Sequence, residues 1–187
     1  AQDFREFGIG LELAKMLEGR TVGKGRVFAV TNAGMEAVSM ADTGIKLTKM
    51  GGALQARLVE MLKGHRLDSL VHPRNPLDLT PAANELAFSQ AVEAALESDE
   101  VDAVIVSCVP LAPCLKTLEG EMEHPDAFPA LAAKWHTMSK KAIVFALDGG
   151  PEYDPLAKEI NDAGIPVYRS ADEAARLLKL WIEHKLY

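Results

Sequence analysis

Apolar residues recur at spacings of three and four between Asp3 and Leu17, at Phe4, Phe7, Leu11, Ala14 and Leu17, and predict a helix that Gly8 and Gly10 weaken. After the turn Thr21–Gly25, the run Arg26–Thr31 (RVFAVT) is short, apolar and rich in β-branched residues, the signature of a strand buried on both faces. Asn32-Ala33-Gly34 breaks it, and Met35–Asp42 has helical composition. Ile45–Lys49 is a candidate second strand, and Leu54, Leu58, Met61 and Leu62 give a helix its apolar stripe before Gly64. The segment His72–Pro81 carries Pro73, Pro76 and Pro81, which exclude a central strand or a helix interior. The pattern then predicts a helix over 84–96, a strand over 102–107 (DAVIVS), a helix over 128–138 and a strand over 141–147 (KAIVFAL). A helix over 155–163 ended by Gly164, a short strand over 166–168 and a helix over 172–184 complete the chain, the last with Ala175, Leu178, Trp181 and Ile182 on its apolar side.

Strands alternating with helices at this spacing predict a mostly parallel sheet with helices on both faces. A length of 187 residues with 48% hydrophobic content suits one core and excludes a disordered chain. With 27 acidic against 20 basic residues the net charge is -7, which argues against extended contact with nucleic acid. No run reaches the roughly 20 apolar residues of a membrane helix and no secretory signal pattern opens the chain, so a cytoplasmic protein without membrane association is expected. Two cysteines do not make a disulfide scaffold, and their use is compatible with a reducing cytosol.

In an open parallel sheet, ligands gather beyond the carboxyl ends of the strands, where three segments are expected to lie. Thr31-Asn32-Ala33-Gly34 follows the first strand, and the helix after it opens with unpaired N–H groups suited to a phosphate or carboxylate. Thr31 and Asn32 can add side-chain donors, while Glu36 favours the helix dipole and repels an incoming anion. The segment matches neither G-x-G-x-x-G nor G-x-x-x-x-G-K-[ST], and a plain strand-to-helix turn is the competing reading. In the second segment, Asn75 and Asp78 either stiffen the loop around Pro76 or face the cleft, and His72 and Arg74 stand nearby. The third, Ser107 to Cys114, runs off a strand end and makes Ser107 and Cys108 cleft candidates, with a buried thiol the competing reading for Cys108. Cys108 and Cys114 lack a redox or zinc spacing, and no metal site is expected. Asp148-Gly149-Gly150-Pro151 is a further strand-end turn, and the remaining histidines read as solvent-facing or packing residues.

Four stretches together resemble one family. Arg26–Gly34 with Ala41-Asp42 is similar to the Thr-Asn-Ala-Gly-Gly-Pro-Gly region of NDP-forming acyl-CoA synthetases, the superfamily of succinyl-CoA synthetase. Asn75-Pro76-Leu77-Asp78-Leu79-Thr80, Asp99–Val106 and Gly164–Ser170 resemble three further segments in the same order. The resemblance implies a three-layer, flavodoxin-like (Rossmann-like) ligase domain over residues 21–187, entered through a helical lead-in over 1–20 from a preceding domain. Such enzymes join an acid to CoA using a nucleoside triphosphate, through an acyl phosphate and a phosphohistidine. It assigns the phosphoryl-facing role to Thr31, Asn32, Ala33 and Gly34. It also implies that the complete enzyme uses CoA, ATP or GTP and Mg2+, none held by this chain alone. The implied partners are a CoA-binding, phosphohistidine-bearing domain and an ATP-grasp domain or subunit. The chain reads Gly34-Met35-Glu36-Ala37 where the family commonly reads Gly-Gly-Pro-Gly, so a non-catalytic binding or regulatory module on the same fold is the alternative. No histidine of the chain stands in the family's catalytic context, and the isolated chain is not expected to complete the reaction.

Overall fold

The computed structural model describes residues 4–186; position 3, where the sequence pattern starts the first helix, lies outside them. Among the described residues five strands form one sheet: β1 Val27–Thr31, β2 Leu77–Asp78, β3 Ala103–Cys108, β4 Ala142–Leu147 and β5 Val167–Tyr168. All pairings are parallel, and the order across the sheet is β2-β1-β3-β4-β5. The chain moves outward from β1 to β2, returns across β1 to β3 and continues to β5, so the direction of winding reverses between β1 and β3. That is the switch point at which open α/β sheets leave a crevice.

The helices are α1 Phe4–Met16, α2 Gly34–Asp42, α3 Gly52–Gly64, α4 Glu85–Glu97, α5 Phe128–Met138, α6 Asp154–Asp162 and α7 Ala171–Leu186. Alternate strand residues point to opposite faces and meet different partners. Phe28, Val30, Val104, Val106 and Phe145 pack under α3, α4, α5 and α6. Ala29, Ala103, Ile105, Ala142 and Ala146 pack under α1, α2 and α7. The first face is built on large side chains: Phe88, Phe128 and Phe145 form a continuous edge-to-face series with ring centroids 5.4 and 5.3 Å apart. Each such ring stabilises the fold by about 2–3 kcal/mol through burial, with about 1 kcal/mol more per ring pair. The alanine-rich second face lets α7 approach through Ala171, Ala174 and Ala175. Three layers with helices on both faces follow from this alternation, as the sequence pattern predicts.

One expected strand is replaced by another. Residues 46–48 meet β1 only through an isolated bridge, Val27 to Leu47, with Val27 N–H donating to Lys46 O and Thr48 N–H donating to Val27 O. The second strand of the sheet is instead Leu77–Asp78, within the proline-rich segment, and it sits at the sheet edge where proline is tolerated. Two short segments thus share one edge of β1, and Asn75 fills the step between them. Its Oδ1 accepts from Ala29 N–H at 2.9 Å, and its Nδ2 donates to Val27 O at 2.8 Å and Thr48 O at 3.1 Å. Asn75 is therefore a backbone brace on β1 and is not among the residues that line the cleft.

Candidate functional site

The crevice at the switch point is bounded by the ends of β1, β2 and β3. Asn32, one residue past β1, holds its walls together: its Nδ2 donates to Val109 O at 3.0 Å and its Oδ1 accepts from Val109 N–H at 2.9 Å. The side chain thus continues the β1–β3 pairing one step past the last strand residue. Thr31 is wholly buried, and its Oγ1 accepts from Ala33 N–H at 3.2 Å. Asn32 and Thr31 both bond the backbone and shape the turn, and Asn32 also lines the cleft.

The mouth of α2 itself is open. Ala33 is its N-cap in extended conformation, and among the described residues no side chain caps it. The first turn leaves the N–H groups of Gly34, Met35 and Glu36 without intrahelical acceptors. Of these three residues Gly34 lines a cleft of about 210 Å³, together with Asn32, Ala33, Asp78, Thr80 and Leu111, among others. Of the phosphate-facing residues expected from the sequence, Asn32, Ala33 and Gly34 line this cleft and the buried Thr31 does not. A methyl group on Gly34 would sit 3.2 Å from Asp78 Oδ2, so glycine keeps the passage wide. Asp78 stands across the mouth, brought there by the pairing of Thr31 with Asp78, and its Oδ1 accepts from Thr80 N–H at 2.9 Å. Thr80 carries φ +64°, a left-handed conformation that a β-branched residue adopts only under local strain.

Glu36 departs from its expected role. Its carboxylate is buried beneath α2 and accepts a hydrogen bond from the Ser107 hydroxyl instead of facing the incoming ligand. Burial pushes this carboxyl above its usual value; the Ser107 bond opposes that, while contact with Asp148 and the charges of Asp148 and Asp172 reinforce it. Glu36 is therefore outside the cleft lining, and Asp78 is the acid that remains at the mouth.

Ser107 and Cys108 are the last two residues of β3, both fully buried, and not members of a cleft loop. Alternation along β3 sends Ser107 toward α2 and Cys108 toward the aromatic face. Burial, with the charges of Glu85 and Glu36, pushes the Cys108 thiol well above its usual value, which removes it as a nucleophile. Gly149 is a packing residue: a methyl group there would meet Tyr153 at 2.6 Å and Pro110 at 2.8 Å. His72 and Arg74 are exposed and outside the cleft lining. His136 is engaged by the Arg20 guanidinium, which also donates to Ser139 O at 2.6 Å and closes the carboxyl end of α5. Among the described residues no group of three or more His, Cys, Asp or Glu is placed to hold a metal ion, and no helix is long and apolar enough to cross a membrane.

Sequence reasoning missed the Glu36–Ser107 bond and the Val109 partnership of Asn32. The signal for the first is parity: Thr31 and Ser107 fall on the α2-facing positions of β1 and β3, and Asp148 keeps that parity one residue past β4.

Comparison with solved structures returns the same architecture over the full chain. The apo form of a dinucleotide forming acetyl-coenzyme A synthetase 1 from Ca. Korarchaeum cryptofilum matches with TM-score 0.73 at 20% identity, covering 100% of this chain and 41% of that one. The same protein in complex with phosphate and ADP matches with TM-score 0.74 at 20% identity, over 99% of this chain and 38% of that one. PH0766 from Pyrococcus horikoshii OT3 matches with TM-score 0.78 at 19% identity, over 99% and 41%. The chain therefore spans about two-fifths of the length of each. No protein-family model matches the chain, and no curated protein matches it.

Proposed function

We propose that this chain is the ligase domain of an NDP-forming acyl-CoA synthetase, and that the mouth of α2 receives a phosphoryl group carried on a histidine of a neighbouring domain. The observation that carries the reading is the open, uncapped turn at Gly34, Met35 and Glu36 at the topological switch point, with the Glu36 carboxylate drawn away to Ser107. The four ordered sequence resemblances and the shared fold of solved acetyl-coenzyme A synthetases support it.

A helix mouth favours a dianion by about 0.3–2 kcal/mol, too little to concentrate free phosphate, and the Asp78 carboxylate opposite works against a bare anion. A phosphoryl group tethered to its own domain arrives at high effective concentration and needs only that modest preference. The chain's own part is to present three N–H donors on a turn locked by Asn32 and Val109, and to keep Gly34 from closing the passage. CoA, ATP or GTP and Mg2+ belong to a CoA-binding, phosphohistidine-bearing domain and an ATP-grasp partner in this reading, and they supply the activation and transfer chemistry. Residues 1–20 are then the lead-in from the preceding domain, 21–187 the ligase domain, and the whole enzyme cytoplasmic.

Gly34→Val tests the assignment in the enzyme that contains this chain. Phosphohistidine formed from nucleotide is expected to fall at least tenfold, with the fold retained by circular dichroism; equal phosphoenzyme in variant and wild type overturns it. The second reading, a non-catalytic module, is favoured by Met35, 80% exposed where the family carries glycine. It predicts that phosphoenzyme formation is indifferent to every substitution at Gly34.

A further inference from the structure

The connection from β3 to α5, residues 109–127, crosses the carboxyl end of the sheet and raises Leu111 to 85% exposure. Leu111 is a ridge between two adjoining clefts that share it and Ala112. One is the cleft at the α2 mouth; the other, about 330 Å³, lies toward Tyr153 and is walled by Pro110, Leu115 and Leu118. Apolar side chains continue around this end of the molecule, with Met35 80% and Leu118 55% exposed. Isolated exposed leucines carry no message, but a joined apolar surface with a polar rim marks an interaction site.

Charge narrows the occupant. Among the described residues no Lys, Arg or His lines either cleft, whereas each holds a carboxylate, Asp78 in one and Glu121 in the other. Glu119 and Glu123 stand exposed on the same connection. The nearby cation Lys116 is half-buried and paired: its Nζ lies 3.8 Å from Glu85 Oε2, and its backbone N–H donates to Glu85 Oε1. A surface of one sign with apolar walls repels nucleic acid and anionic lipid, and it attracts a cationic group beside an apolar anchor.

We propose that the paired clefts flanking Leu111 dock a basic segment of a partner protein, with apolar side chains on either side of the Leu111 ridge and a Lys or Arg reaching Glu121. The proposal shares the α2-mouth cleft with the phosphoryl reading but does not rest on it, because its charge and apolar arguments stand on Leu111 and the Glu121 cleft.

The test uses the full chain, labelled with 15N, and a capped ten-residue peptide alternating Leu and Lys. Two control peptides carry Glu in place of Lys or Ser in place of Leu. The Leu–Lys peptide is expected to bind in the sub-millimolar range, to shift the amides of residues 111–121, and to weaken at least fivefold as salt is raised. The Glu-containing peptide is expected to bind at least tenfold more weakly and the Ser-containing one at least fivefold. Leu111→Ser and Glu121→Gln, both at exposed positions, should each cut affinity at least threefold while leaving the rest of the spectrum in place. Absence of binding, equal binding of either control, or shifts confined to another face overturns the proposal. Weakened peptide binding in Glu121→Gln with phosphoenzyme formation intact separates the two readings, because Glu121 lines only the cleft away from the α2 mouth.

Discussion

The two ends of the sheet each bury an acid, in opposite company. At the amino end, Asp102 precedes β3 and collects four hydrogen bonds: Lys24 N–H at 3.0 Å, Arg26 N–H at 2.9 Å, and Arg26 Nε and Nη2 at 2.8 and 3.0 Å. Burial raises its carboxyl, but the Arg26 guanidinium and the two backbone N–H groups outweigh that and hold it below the usual Asp value. At the carboxyl end, Glu36 has one hydroxyl and two further acids for company, and its carboxyl is pushed up. One end satisfies its buried charge and is structural. The other accumulates acids beside an uncapped helix mouth and a left-handed threonine, a local inconsistency that folds tolerate where function requires it.

The largest expected effect lies at the satisfied end. Asp102→Ala leaves the half-buried Arg26 guanidinium with only Asp99 O and strands two backbone donors, and should cost about 2–3 kcal/mol in urea unfolding at neutral pH. Because the folded-state carboxyl is depressed, its contribution is complete above the unfolded value and disappears as pH falls through the folded one. The variant should therefore lose part of the acid limb of the wild-type stability profile. A cost under about 1 kcal/mol would break the contrast between the ends. Gly23→Ala probes the same knot from the other side. Gly23 has φ +49°, and a methyl group there would lie 2.1 Å from Asp102 Oδ1, so a loss of about 2 kcal/mol in the same assay is expected.

Much of this architecture is legible in the sequence. β1, β3 and β4 are continuous apolar runs, and the helices between them carry their stripes, so a parallel three-layer sheet follows from periodicity alone. β2 is not legible in that way. Two residues between prolines have no period, and what makes them a strand is the edge of β1 together with the Asn75 amide, a tertiary partnership. The position of the candidate cleft is legible too, because the turn at Asn32-Ala33-Gly34 breaks the first strand. Its electrostatics are not: the repulsion expected of Glu36 vanishes once parity places Ser107 beneath it. Ser107 and Cys108 read as a strand exit, but the pairing of Cys108 with Leu147 continues the ladder and buries both.

A smaller effect is expected at the mouth itself. Thr80→Gly removes the cost of a β-branched residue at φ +64° and should stabilise the fold by about 0.5–1 kcal/mol, even after the added chain entropy of glycine. Urea unfolding with unchanged slope is the measurement. A loss of stability would mean that Thr80 is held by interactions stronger than its strain, and the carboxyl end would then resemble the amino end after all.

The smallest effect in magnitude is the sharpest in sign. The Ser107 bond opposes the influence of burial and of the neighbouring acids on Glu36, so the net change from Glu36→Gln is modest. Glutamine keeps an acceptor for the Ser107 hydroxyl and cannot ionise. In wild type the folded carboxyl is raised, so the folded state holds its proton to higher pH than the unfolded state does. Stability therefore falls as pH rises from the ordinary Glu value through the folded one, then levels off. The stability of Glu36→Gln relative to wild type should accordingly climb in the variant's favour over that window, measured by urea unfolding from about pH 4 to about pH 8. Asp102→Ala should do the reverse on the acid side, losing its disadvantage as pH falls. A flat difference for Glu36→Gln would mean that the Ser107 bond alone balances burial and the surrounding acids, and that this end of the sheet satisfies its buried acid as the amino end does.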